Sequence, residues 1–109
     1  MPLVNALTEG VNMTTIPVPT EYNDAIVKII DWHLVTYVPE EIFCLRLNRI
    51  LECFFERNLV NGVAQIEKKD LYFLNGCIAD AINNAEECGV NKDFLWEIHD
   101  WIVDEQKKK

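Results

Sequence analysis

The sequence predicts an all-α fold, a single-domain bundle of about four helices preceded by an extended N-terminal arm. Three observations lead there. Apolar residues recur at spacings of three and four through most of the chain. Glycine, proline and short polar side chains separate these periodic stretches in the manner of helix ends. The 109 residues, 50% apolar and 26% charged, suit one hydrophobic core and a chain of this size buries roughly two thirds of the surface it exposes when unfolded. There is no internal repeat, low-complexity tract or linker to divide the chain, so residues 1–19 are assigned to the arm and 20–109 to the bundle.

The arm shows no helical period, and the run Ile16, Pro17, Val18, Pro19 favours extended or polyproline-like backbone, because each proline biases its predecessor away from the helical region. Met13 could serve as an internal start. The first helix is expected over 20–36, with Thr20 as its N-cap and Glu21 and Asp24 in its first turn. Tyr22, Ile26, Ile29, Ile30, His33 and Tyr37 share one face; Asp24, Lys28 and Asp31 lie away from it and Trp32 on its flank.

The stretch from Pro39 to Gly62 carries the longest uninterrupted helical pattern. Phe43, Leu47, Ile50, Leu51, Phe54 and Phe55 fall on one broad arc, with Arg46, Arg49, Glu52, Glu56 and Arg57 opposite as a solvent face. Val38 and Pro39 mark its start, and Asn61 and Gly62 its stop. Val63 to Ile66 reads as a loop, the alternative being a short extended piece paired with the Ile16 to Val18 arm. A third helix should begin near Lys68, with Glu67 or Asp70 as its capping acid, and end at Gly89. Its stripe is Leu71, Leu74, Ile78, Ala81, Ile82 and Ala85. Val90, Asn91 and Leu95 have the spacing of a hydrophobic staple around an Asn91 cap, which sets the start of a fourth helix. Phe94, Leu95, Ile98, Trp101 and Ile102 form its apolar face. Trp96 and Val103 fall outside the core stripe and are expected to be exposed.

Composition then narrows function. No apolar run approaches the roughly 20 residues that span a bilayer, and the chain does not open on a basic patch followed by an apolar core, so a cytoplasmic location away from membranes is expected. Cys44, Cys53, Cys77 and Cys88 include no closely spaced pair and are expected to be reduced, structural thiols rather than zinc ligands with His33 or His99. No metal and no cofactor is expected. Eighteen acids against ten bases give a net charge of -8, and setting aside the three terminal lysines leaves the body nearer -11. From Asp80 to Gln106 eight acids face Lys92 alone. Such a surface repels phosphate backbones and attracts a basic partner.

Enzyme signatures are sparse. His33 has the setting of a hydrogen-bonded core histidine, and His99 points about 100° away from its neighbour Asp100, which leaves it unoriented as a base. Glu52 and Glu56, one turn apart, are flanked by Arg49 and Arg57 and read as a mixed-charge surface. Two acid pairs at i, i+3, Glu67 with Asp70 and Glu97 with Asp100, could cage magnesium as in all-helical nucleotide pyrophosphohydrolases. Against that, the first pair sits at a helix end and has Asp where Glu is expected. The favoured expectation is a non-enzymatic module that docks on a basic, nucleic-acid-binding or nuclease protein as an inhibitor or nucleic-acid mimic, like an immunity protein. Its contact residues would be Trp96, Glu97, Asp100, Val103 and Asp104 with Glu86 and Glu87. A magnesium-dependent hydrolase and a structural homodimer are the alternatives.

Overall fold

A computed structural model describes residues 15–36 and 41–108. The expectations that rest on residues 1–14, including the start at Met13, and on the Tyr37 to Pro39 connection lie outside the described residues. Within them the protein is an all-α bundle with a short two-stranded sheet. The strand β1 (Thr15–Pro17) is followed by a 3-10 turn (Thr20–Tyr22) and helix α1 (Asn23–Thr36). Helix α2 (Glu41–Glu52), a second 3-10 turn (Glu56–Asn58), strand β2 (Gln65–Glu67) and helix α3 (Lys68–Asn83) come next. A single-turn helix α4 (Ala85–Cys88) and the long helix α5 (Lys92–Lys107) complete the chain.

Ile26, Ile29 and Ile30 of α1, Leu47 and Ile50 of α2, Leu71, Leu74 and Ile78 of α3, and Leu95, Ile98 and Ile102 of α5 meet in one core. Each is fully buried, which stabilises by about 1.5–3 kcal/mol per side chain relative to exposure. His33 is buried among them, its Nε2 donating to the Cys77 carbonyl at 3.2 Å and standing 3.9 Å from Asp80. That is the core histidine the sequence predicts. The small Ala81 is fully buried on α3, the helix that packs most extensively against α5.

Four expectations need correction. The long helix of 39–62 is cut short at Glu52. Cys53, Phe54 and Phe55 donate three residues back, to Ile50, Leu51 and Glu52, which tightens the last turn, and the Asn58 side-chain amide takes the Glu52 carbonyl at 2.6 Å. Phe54 and Leu59 then turn back onto the core while Phe55 stays exposed. Asn61 and Gly62 are not a helix cap but a two-residue hairpin turn. Both have positive φ, 53° and 81°, and Val60 and Val63 exchange backbone hydrogen bonds of 2.9 and 3.0 Å across it.

Second, the favoured loop at 63–66 contains strand, so the alternative pairing is the right one. β2 runs antiparallel to β1 with Ile16 opposite Ile66, both buried, and Val18 donates to Ala64 at 2.9 Å. Third, Thr20 does not cap an α-helix; it opens the 3-10 turn, and α1 starts at Asn23. Fourth, the third helix breaks at Asn84, whose φ of -134° lies outside the helical region, and the single turn α4 resumes before Gly89 closes it at φ 85°.

Candidate functional site

Helix α5 starts as the staple pattern requires. Asn91 Oδ1 accepts from the Asp93 and Phe94 amides at 2.9 and 3.2 Å, and Val90 and Leu95 are both buried beside it. With Leu95, Ile98 and Ile102 turned to the core, the 3.6-residue repeat sends Asp93, Trp96, Asp100, Val103 and Asp104 to the opposite side. Trp96 is 47% exposed there, whereas Trp32 is buried and Trp101 partly so. Glu97, Asp100 and Asp104 are exposed and Val103 is half-buried.

Neighbouring contacts fix this face. The Trp96 ring meets His99 edge-on at 5.3 Å. His99 Nδ1 lies 2.8 Å from Asn75 Oδ1, and because an amide oxygen only accepts, the ring nitrogen donates. The tryptophan therefore leans on a ring that α3 holds in place. Glu97 is tied at the flank, accepting from the Tyr22 hydroxyl at 3.0 Å. Burial, and then the bond and charge of Glu97, push the Tyr22 phenol up to about 12.

Glu86 and Glu87 lie on α4, exposed, on the rim of an open groove of about 760 Å3 whose other side runs from Gly89 to Lys92 at the start of α5. Glu87 also accepts from the Trp32 indole at 3.2 Å. The groove thus joins the α4 acids to the start of the α5 face.

The four carboxylates of the magnesium alternative are not gathered. Glu67 is 3.7 Å from the Lys69 ammonium, Glu97 is bonded to Tyr22, Asp100 is exposed, and Asp70 is buried and taken by Arg46 and Arg49. Among the described residues no group of three or more His, Cys, Asp or Glu side chains could hold a metal ion. Glu52 and Glu56 are separated by the end of α2 and no longer share a helix face.

Asp70 carries the feature that sequence reasoning missed. Its Oδ1 accepts from Arg46 Nε at 3.2 Å and Arg49 Nη2 at 3.0 Å, and Arg46 also donates to the Lys69 carbonyl and stacks 4.2 Å over the Phe73 ring. The two arginines assigned to a solvent face instead brace α2 against α3. The spacing of three between Arg46 and Arg49 was the available signal, since it puts both guanidinium groups on one side of a helix, but nothing local names their partner 24 and 21 residues further on.

The four cysteines are free thiols. Burial raises Cys77 to about 12, with Asp80 adding to it, and burial also raises Cys53 and Cys88. No helix among the described residues is long and apolar enough to cross a membrane. No family model, curated protein or solved structure matches the chain.

Proposed function

We propose that this chain is a small acidic protein-binding module that docks on a basic protein through the outer face of α5, acting as an inhibitor or mimic that occupies a nucleic-acid-binding or nuclease surface. The observation that carries the reading is Trp96, 47% exposed on a helix that also turns Asp93, Asp100 and Asp104 outward. A tryptophan propped on His99 loses little further freedom on binding, and desolvating it under a partner supplies the anchor energy of an interface hot spot. Glu97, Asp100 and Asp104 around it, with Glu86 and Glu87 beyond the groove, steer a cationic surface toward that anchor and orient it. The same acids disfavour direct contact with nucleic acid. A cytoplasmic setting belongs to the proposal, supported by four free cysteines, two of them buried.

The test is capture of cytoplasmic basic proteins on the immobilised chain at low salt, repeated with Trp96→Ala and with Asp100→Asn. One basic protein should be retained by the parent and released by salt. Trp96→Ala should weaken its affinity by about 2 kcal/mol, the threshold for a hot spot, and Asp100→Asn should flatten the salt dependence. A retained protein that ignores both substitutions and elutes independently of salt would rule the reading out.

A further inference from the structure

The outward side of α2 carries a second surface of opposite character. Ile42 and Leu45 are 80% and 61% exposed, one turn apart, and Arg46 and Arg49 continue the same side of the helix. Lys69, at the start of α3, joins them to line an open groove of about 590 Å3. Lys68 donates to the Lys108 carbonyl at 2.9 Å, which brings the end of α5 to the start of α3, and the Lys108 ammonium is itself paired with Glu105 at 3.1 Å. Three cations, Arg46, Arg49 and Lys69, thus line the groove, set against the buried Asp70 beneath the arginines and Glu67 at 3.7 Å from Lys69, so the groove keeps a positive excess in a molecule of net charge -8.

We propose that this α2 stripe is a docking site for an acidic amphipathic helix of another protein, with Ile42 and Leu45 as apolar anchors and Arg49 and Lys69 as carboxylate receptors. The proposal does not rest on the role assigned to α5. Charge and geometry select the occupant. The two arginines are held in fixed orientation by buried Asp70, and Arg46 further by Phe73, so they present directional donors suited to carboxylates at set positions. A fluid anionic bilayer gains little from such fixed donors, and the overall negative charge opposes it. Nucleic acid would want stacking rings where this stripe offers aliphatic side chains. A second copy meeting face to face would set Arg49 and Lys69 against their own equivalents. Pairing instead with a neighbour's acidic α5 would be a head-to-tail contact that builds rings or open chains rather than one closed pair.

Fluorescence anisotropy tests this with the full chain and a panel of labelled helical peptides of about 15 residues, each with Leu or Ile one turn apart and flanking Glu, and each matched by a Glu→Gln counterpart. The acidic peptides should bind, the glutamine counterparts at least about tenfold more weakly, a difference of about 1.4 kcal/mol. Leu45→Glu and Lys69→Glu should each weaken binding by about tenfold, or 1.4 kcal/mol, with circular dichroism unchanged because both side chains are exposed. Should Leu45→Glu fail to fold, Lys69→Glu decides alone. The proposal is overturned if no acidic peptide binds, if the glutamine peptides bind equally, or if the substitutions change nothing. It is equally overturned if Lys69-dependent binding goes instead to phosphatidylserine vesicles, or if the chain alone self-associates until Leu45→Glu stops it.

Discussion

Tyr22 is one residue whose chemistry reaches across the fold. It ends the 3-10 turn before α1, packs against Phe94 and Trp101 at 5.5 and 5.6 Å, and donates to Glu97 on the candidate face. Its periodic position made burial legible in the sequence, but the bond to Glu97, 75 residues away, was not, because spacing along a helix says nothing of a distant partner. The consequence is measurable at alkaline pH. A phenol whose folded pKa, about 12, exceeds its ordinary value of 10.0 holds its proton more tightly when folded. The stability from that preference is complete below pH 10.0 and is lost as pH rises through about 12. Ultraviolet phenolate titration should show one tyrosine ionising late, coincident with loss of near-ultraviolet dichroism, and Tyr22→Phe should remove that step. A late phenol that survives this substitution would assign the effect to another residue. Trp96 and Asn91 stand at the other extreme, each placed correctly by local pattern alone because exposure on an isolated helix face and capping are both short-range properties.

At the scale of elements, helices were readable and their ends were not. The periodicity of 43–55 continues past Glu52 because Phe54 still packs on the core, yet it does so from the turn that ends α2, and Leu59 joins it from extended backbone just after the 3-10 turn. Asn61 followed by Gly62 is compatible with a helix stop and with a hairpin turn, and only the pairing of Val60 with Val63 decides. The β1 and β2 strands are three residues each, too short to display alternation against their prolines and loops. Two glycines test this account in opposite directions. Gly62 sits at φ 81°, where a side chain strains the backbone although open space surrounds it, so Gly62→Ala should destabilise by about 1 kcal/mol or more. Gly76 lies inside α3 with ordinary helical φ and nothing within 4 Å of an added Cβ. Gly76→Ala should therefore stabilise by roughly 0.5–1 kcal/mol. Urea unfolding of the two variants distinguishes them, and shifts of the same sign would contradict the hairpin assignment.

Over the whole molecule, burial is unevenly shared. Six residues of α1 and seven of α3 are buried, against Leu47 and Ile50 alone in α2. What else ties α2 down is the partly buried Leu51, the edge-on contact of Phe43 with Phe73 at 5.1 Å, and the polar set of Arg46 and Arg49 on Asp70 with Arg46 over Phe73. Ion pairs with a half-exposed arginine contribute little against solvent, typically 0–1 kcal/mol, whereas each fully buried aliphatic contributes about 1.5–3 kcal/mol. Helix α2 should then open below the free energy of global unfolding while α1, α3 and α5 hold together. Native-state hydrogen exchange resolves this directly. Amides of Leu47 to Glu52 should exchange by a sub-global opening that depends weakly on denaturant, and those of Leu74 to Ile82 and Ile98 to Ile102 only by global unfolding. Replacing Arg46 and Arg49 together by alanine should accelerate the α2 amides most and also lower global stability, because it leaves Asp70 buried without its ion pairs. Equal protection of α2 and α3 in the parent chain would show that the Asp70 cluster binds them into one cooperative unit. In that event the α2 stripe would be as rigid as the core behind it.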